Sequence, residues 1–248
     1  MFDKKLAIKC LDLSVLAYKG MGKWRDFSGE EASEKRVEWM YGNAEEERID
    51  LEYQNRLELF ENKETDTQGV FYESDSLYIA FRGSESDADW KGNLNYKQME
   101  APFNRDPSVK ADRVHSGFLK DYMSVRDKVL EKVEKWGGKR IIITGHSLGA
   151  ALSSICALDV QYNFPEMEVT LYNFGAPRVG NKEYIAAHKN RVKEVYQIRN
   201  GNDAVTHVPF KAMGFVDTRK YIQVNLWKPW LSALDHFPSG YLKGLRKL

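Results

Sequence analysis

Residues 139–158 constrain the fold of this chain more than any other part of the sequence. They begin with Ile141-Ile142-Ile143, a β-branched run that is typical of a buried parallel strand. The pattern Gly145-His146-Ser147-Leu148-Gly149 comes next, and small or helix-forming residues continue to Leu158. This order predicts a strand, a sharp turn with a serine at its apex, and a helix.

The residue types of this turn indicate a nucleophile. A strained backbone at Ser147 would hold the serine Oγ clear of the sheet, and Gly145 and Gly149 lack the Cβ that would block neighbouring chain. A helix that begins near Leu148 directs its free N–H groups at the serine, which makes the Leu148 N–H a candidate oxyanion donor. The alternative is a tight turn in which the serine only caps the helix.

Length and composition favour one globular domain that covers residues 1–248. The chain is 42% hydrophobic, and it contains no internal repeat, linker or low-complexity tract. Its net charge of +1 gives no support for nucleic-acid binding. Residues 30–66 carry thirteen acidic against five basic side chains, which indicates a solvated acidic segment.

The sequence also bears on redox state and location. Cys10 and Cys156 lie in apolar helical patterns, and we expect buried thiols instead of a disulfide. Lys9 and Asp12 interrupt the apolar residues near the start of the chain, whereas the core of a signal peptide is continuously apolar. The uncharged run 141–158 contains too much Gly, Ser, Thr and His for a membrane span. These observations predict a cytoplasmic location.

Hydrophobic periodicity predicts alternating strands and helices along most of the chain. The predicted helices cover residues 3–18, 118–136, 148–158 and 182–190, with a short one near 30–39. The predicted strands lie near 55–60, 70–72, 77–81, 141–143, 169–174, 194–199 and 221–224. Such alternation predicts an α/β fold with a mostly parallel central sheet and helices on both faces.

A serine nucleophile needs a general base, and three histidines follow Ser147. His188 belongs to a charged helix, and we expect it at the surface. His207 is expected to orient Asp203 or to pack beside it. His236 follows the last predicted strand, from where a loop can fold back over the carboxyl edge of the sheet. His236 is therefore the predicted base.

The base needs an acid, which in hydrolases with this turn lies between the serine and the histidine in the chain. Asp203 comes directly after a predicted strand, on the correct edge of the sheet. Asp159 lies inside a helix, Asp217 in a predicted hairpin, and Asp235 adjoins the base. Asp203 is therefore the predicted acid. The chain shows no zinc, calcium or phosphate-binding motif, so the chemistry requires no cofactor or metal.

Two more stretches are candidates for function. Ser84 follows the strand 77–81 at its carboxyl end, where it is suited to donate to an oxyanion; a plain loop is the alternative. Residues 85–110 form a long polar connection, either a lid or an ordinary surface excursion. A short mobile helix is expected there, with Asp87, Trp90 and Leu94 as its candidate residues.

Five stretches in order together resemble the class 3 lipases, the fungal-lipase-like branch of the α/β-hydrolases. They are AFRGS at 80–84, VHSGF at 114–118, ITGHSLGAALSS at 143–154, NFGAPRVGN at 173–181 and NGNDAVTHVP at 200–209. The resemblance implies a triad of Ser147, Asp203 and His236, oxyanion donors at Ser84 and Leu148, and a lid within residues 86–94.

By this resemblance the chain is expected to hydrolyse carboxylic esters, with acylglycerols as the leading substrates. A phospholipase, a short-chain esterase and a non-catalytic lipid-binding protein on the same fold are the alternatives. The polar lid segment, in which Trp90 is nearly alone as a large apolar residue, favours weak activation by lipid interfaces. Trp227 and Trp230 flank Lys228 and Pro229, which predicts either transient contact with a membrane or packing of both rings in the core.

Overall fold

The computed structural model describes residues 1–18, 53, 56–83, 96–103, 112–217 and 220–248. Seven of its strands form the central sheet: β1 (Leu57–Asn62), β2 (Thr67–Glu73), β3 (Leu77–Phe81), β6 (Arg140–His146), β7 (Glu168–Phe174), β8 (Glu194–Asn200) and β9 (Tyr221–Val224). They are arranged in the order β1-β2-β3-β6-β7-β8-β9. A separate two-stranded sheet contains β4 (Gln98–Glu100) and β5 (Arg113–His115).

The part of the central sheet from β3 to β9 is parallel, and β1 and β2 add an antiparallel edge. All five residues of β3 are buried, and β6 is buried after its first residue, as is typical of strands with helices on both faces. Phe81, Gly145 and Asn173 are aligned across β3, β6 and β7. The carboxyl ends of the central strands therefore meet at one edge of the sheet.

Helices cover both faces of the sheet: α1 (Lys4–Leu16), α2 (Ser116–Lys135), α3 (Leu148–Asn163), α4 (Lys182–Arg191) and α5 (Pro238–Lys247). Because strand side chains alternate between faces, Ile141 and Ile143 belong to the core cluster that contains α2 and α3, whereas Ile142 belongs to the cluster that contains α1 and α5. The predicted fold class is confirmed.

Helix α2 shows how local sequence determines an element. The His115 Nδ1 accepts hydrogen bonds from the N–H groups of Gly117 and Phe118, at 3.2 and 3.4 Å, and so caps the helix. Burial lowers the pKa of His115 to about 4, which keeps the ring neutral and able to accept. The apolar face that the sequence predicts, including Tyr122 and Val125, is buried along the helix.

Cys10 and Cys156 are buried free thiols, as expected. The strand predicted near 55–60 begins at Leu57, and the helix predicted near 30–39 lies outside the described residues. No helix in the described ranges combines the length and the apolar character that crossing a bilayer requires.

Candidate active site

Ser147 lies at the turn between β6 and α3 with φ 59° and ψ −127°, a strained conformation for a residue with a side chain. Its N–H donates to the carbonyl oxygen of Phe174 at 3.0 Å, and its own carbonyl accepts from the N–H of Ala150 at 3.0 Å. These bonds hold the strained turn in place. The serine side chain accepts no hydrogen bond from the helix, so the alternative of a helix-capping serine is wrong.

The turn is packed too closely for any side chain at its two glycines. A Cβ on Gly145 would lie 2.2 Å from the backbone carbon of Gly149. A Cβ on Gly149 would in turn lie 2.2 Å from the carbonyl oxygen of Phe81 at the end of β3. The glycines of the pattern thus let β3, β6 and α3 converge beside Ser147, as the residue types indicate.

We expect Gly145→Ala to lower the free energy of unfolding by about 3 kcal/mol or more, because the added methyl would collide with backbone that cannot move separately from β6. Gly137→Ala is the matched control, since nothing lies within 4 Å of a Cβ built there. Chemical denaturation should show the control within about 0.5 kcal/mol of wild type. Equal losses in the two variants would contradict the close packing of the turn.

Asp203 and His236 are brought together although 33 residues separate them. Asp203 follows β8 directly and is fully buried. Its Oδ2 lies 2.7 Å from His236 Nδ1 and also accepts a hydrogen bond from the hydroxyl of Tyr241. Its Oδ1 accepts from the N–H of Val205 at 2.9 Å. This pairing directs Nδ1–H at the carboxylate and leaves Nε2 as the basic nitrogen of the ring.

The surroundings of Asp203 favour its ionised form. Burial by itself raises the pKa of this carboxyl group, but the attraction of His236 and the hydrogen bonds from His236, Tyr241 and Val205 outweigh it, so the pKa lies below its ordinary value. Burial raises the pKa of Tyr241, which therefore stays protonated and donates to the carboxylate. A charged acid is thus maintained inside the protein.

Gly175 connects this pair to the serine turn. It has φ 61°, and a Cβ there would lie 2.7 Å from Asp203 Oδ2 and 2.9 Å from His236 Nδ1. Gly175 follows Phe174, whose carbonyl holds the N–H of Ser147, so the serine turn and the histidine flank the same strand end. Gly175 lies in the stretch 173–181, but the sequence predictions gave it no role.

The basic nitrogen of the histidine is available. Nε2 of His236 is buried and has no hydrogen-bond partner in the described part of the chain, Ser147 Oγ included. Hydrogen bonds between a catalytic serine and its base often form or tighten only when substrate binds.

His146 supports His236, a role that was not among the sequence predictions. Its Nε2 lies 2.8 Å from the carbonyl oxygen of His236, and the two ring centres are 4.5 Å apart. Burial and the neighbouring His236 lower the pKa of His146 to about 3. The ring is therefore neutral and donates to the histidine loop. Its position inside the G-x-S-x-G pattern was the only signal in the sequence.

The other candidate carboxylates have structural partners. Asp159, on α3, lies 2.7 Å from Arg126 of α2 and accepts a hydrogen bond from the hydroxyl of Tyr122 on the same helix as Arg126. Asp217 pairs with Arg178 at 2.6 Å. Asp235 accepts a hydrogen bond from the N–H of Asn202 at 3.0 Å, and so holds the loop that contains the acid. Of these four carboxylates Asp203 is the one that pairs with His236, and its role as the acid stays a prediction.

The structure also shows the positions of His207 and His188, the two histidines that were not chosen as the base. His207 Nε2 lies 2.9 Å from Asn202 Oδ1, so the ring packs beside the loop that contains Asp203. The prediction of an exposed His188 is wrong, because the residue is fully buried. It lies one turn after Tyr184 on the inner face of α4, and the charged neighbours that indicated exposure occupy the other face.

Of the predicted oxyanion and lid residues, the structure describes only Leu148. Leu148 is the first residue of α3, so its N–H lacks a partner in the helix and is placed next to Ser147. Ser84, Asp87, Trp90 and Leu94 lie outside the described residues. Gly83, which precedes Ser84, is close to the site, since a Cβ there would lie 3.3 Å from Ser147 Cβ.

The mostly parallel sheet with helices on both faces and the strand–serine–helix turn define an α/β-hydrolase fold. Residues 78–213 match the family model described as lipase (class 3). Because this match covers more than half of the sequence, the chain belongs to the class 3 lipase family, as the motifs predict. Among the described residues, no group of three or more His, Cys, Asp or Glu side chains is placed to hold a metal ion.

The curated relatives include lipases and a phospholipase. A lipase of Rhizomucor miehei is 31% identical over 161 residues, which cover 61% of this chain and 43% of the relative. Phospholipase A(1) DAD1, chloroplastic, of Arabidopsis thaliana is 33% identical over 149 residues, covering 54% of this chain and 33% of the relative. The chain thus spans less than half the length of these relatives.

Solved structures share the fold over nearly the whole chain. A triacylglycerol lipase whose catalytic centre is described as a serine protease triad has a TM-score of 0.75 at 23% identity, covering 97% of this chain and 96% of that one. The Rhizomucor miehei lipase in its propeptide complex has a TM-score of 0.71 at 22% identity, covering 97% and 82%. At this identity the comparison establishes the α/β-hydrolase fold.

The prediction of a cytoplasmic location is wrong. Two relatives from Malassezia globosa, at 30% and 28% identity, are secreted mono- and diacylglycerol lipases. The prediction depended on Lys9 and Asp12 near the first position and on the polar content of the run 141–158.

Proposed function

We propose that this protein is a serine hydrolase of carboxylic esters, and specifically a lipase that releases fatty acids from acylglycerols. The observation that carries the proposal is the buried Asp203–His236 pair, whose free Nε2 lies at the strand end that also holds the strained Ser147 turn. The mono- and diacylglycerol lipases among the relatives support the substrate class. Because one sheet extends from β1 to β9, we also propose a single catalytic domain over residues 1–248.

In the proposed reaction, His236 Nε2 takes the proton from Ser147 Oγ as Oγ attacks the ester carbonyl carbon. Asp203 holds the resulting imidazolium through Nδ1–H. The tetrahedral intermediate then collapses, the bond to the alcohol oxygen breaks, and His236 transfers its proton to that oxygen. Water, deprotonated by His236, attacks the acyl-enzyme in the same way, which releases the fatty acid and returns the proton to Ser147.

The negative charge that develops on the carbonyl oxygen needs fixed donors. We assign the N–H of Leu148 at the start of α3 and, by the family resemblance, Ser84 to this role. Asp87, Trp90 and Leu94 are proposed to belong to a lid over the same edge. The neutral His146 is proposed to position His236 through its backbone carbonyl.

A phospholipase is the second candidate function, and the match to phospholipase A(1) DAD1 favours it. Fatty-acid release from a diacylglycerol and from phosphatidylcholine, measured side by side, separates the two. A lipase should favour the neutral acylglycerol, whereas a phospholipase should require the phosphate head group.

Hydrolysis of p-nitrophenyl esters from acetate to palmitate tests the ester chemistry itself. We expect turnover to rise toward longer chains, because transfer of a longer apolar acyl group out of water is more favourable. A preference for acetate would support the short-chain esterase instead. Turnover of no ester, together with no labelling by a fluorophosphonate, would favour the non-catalytic lipid-binding protein.

A further inference from the structure

Exposed apolar side chains are concentrated in one loop. We call residues 225–234 the tryptophan loop; it joins β9 to the short helix that contains His236. Of the twelve large apolar side chains exposed in the described ranges, five belong to this loop. They are between 55% and 88% exposed: Leu226, Trp227, Trp230, Leu231 and Leu234. The alternative in which both tryptophans pack in the core is therefore wrong, and an exposed apolar cluster of this kind indicates a binding surface.

The backbone of the loop, in contrast to its side chains, is held inward. Asn202 is buried, and its Nδ2 donates to the carbonyl oxygens of Lys228 and Trp230 at 2.9 and 3.1 Å. The N–H of Ser232 donates to the Asn202 carbonyl at 3.0 Å, and the Ser232 carbonyl accepts from Ala204 at 3.3 Å. These four bonds satisfy loop backbone groups, which lowers the cost of moving the loop into a medium without water.

The loop is also tied to the candidate active site at both ends. Asn202, its anchor, precedes Asp203 in the chain, and the loop leads directly to His236. The Lys228 ammonium lies 2.8 Å from Asp235, the residue beside the histidine. Phe210 and Met213, in the segment that follows Asp203, are exposed as well. The apolar surface therefore adjoins the edge of the sheet at which the triad lies.

We propose that the tryptophan loop is a preformed docking surface for a lipid bilayer, which places the active-site edge against the membrane. Two indole rings and three leucines in a short outward-facing loop have the composition that favours the boundary between head groups and acyl chains. Lys228 lies between the two rings in the chain, and its pairing with Asp235 at 2.8 Å neutralises its charge, which lowers the cost of bringing an ammonium close to acyl chains. The inference rests on the proposed function, since lipid esters reside in such surfaces.

Vesicle binding by the full chain tests this without any ester hydrolysis. In a Ser147→Ala parent, Trp227→Ser with Trp230→Ser should lower binding to phosphatidylcholine vesicles about tenfold or more in co-sedimentation, because two large apolar groups no longer leave water. Leu226→Asp should lower it by a similar factor. Leu59→Ser is the matched control, since Leu59 is an exposed leucine of β1, at the opposite edge of the sheet from β9.

The outcomes distinguish the loop from the catalytic assignment. Loss of binding in both loop variants, with unchanged circular dichroism and with the control like the parent, supports the proposal. A parent that does not bind vesicles, or loop variants that bind as the parent does, would overturn it. The rival occupant of the surface is a second copy of this chain, which sedimentation velocity tests. If the parent is a dimer that the loop substitutions dissociate while vesicle binding stays unchanged, the surface belongs to that second copy. Failure of the ester assays alone would overturn the catalytic proposal and leave the binding result standing.

Discussion

Ser147→Ala should lower kcat for p-nitrophenyl ester hydrolysis by about four orders of magnitude or more, because no other group can form the acyl-enzyme. The strained turn should remain, since the serine hydroxyl makes no bond to the helix that alanine would lose. Steady-state kinetics on purified protein measure the loss. Labelling by a fluorophosphonate should disappear with it.

Ser153→Ala is the matched control for this variant. Ser153 lies in α3, two turns beyond the nucleophile, and its buried hydroxyl bonds to the Ala150 carbonyl and to Asn173. The substitution removes a serine hydroxyl from the helix that follows the nucleophile without touching the reacting one, so activity should stay within about tenfold of wild type. Full activity in Ser147→Ala, or equal losses in the two variants, would refute the assignment of the nucleophile.

Asp203→Asn should lower kcat by about three to four orders of magnitude with little change in KM. A neutral amide cannot stabilise the imidazolium, and its NH₂ group would face His236 Nδ1 and favour the tautomer with the proton on Nε2. That nitrogen could then no longer accept the serine proton. Comparison of kcat at several pH values separates this effect from a general loss of folded protein.

The control for the acid is Asp235→Asn, next to the histidine itself. Asp235 bonds to the Asn202 N–H and to Lys228, so its loss should loosen the loop and reduce activity by no more than about tenfold. If Asp235→Asn proved as damaging as Asp203→Asn at equal folded fraction, the choice of acid would be wrong. Comparison of the two variants therefore separates the effect on kcat of orienting His236, the role proposed for Asp203, from that of holding the loop, the role of Asp235.

Much of the fold could be predicted because its signals are local. The triple isoleucine of β6 and the apolar spacing along α2 depend on one element at a time, and alternating strands and helices restrict the topology to a parallel sheet. The place of Asp203 followed from the same logic, since a residue directly after a parallel strand must lie at the carboxyl edge. The structure agrees on each of these points.

What the sequence could not predict depends on contacts between distant parts of the chain. The hydrogen bond from His146 to the His236 carbonyl spans 90 residues, and no periodicity encodes it. Tyr241 reaches Asp203 only because α5 packs across the sheet. The burial of His188 was missed because its helix has mixed charge on the outer face, and only the packing of α4 determines which face turns inward.

The tryptophan loop shows most clearly which properties the sequence determines and which depend on the tertiary structure. By itself the sequence determined that aromatic and aliphatic side chains gather just before His236, along with the strands, the serine turn and the order of serine, acid and histidine. Whether those rings pack inward or face solvent was decided by the tertiary structure, because Asn202 binds the loop backbone and thereby directs the side chains outward. Residue type sets what a side chain favours, whereas the backbone hydrogen bonds of its neighbours set which way it points.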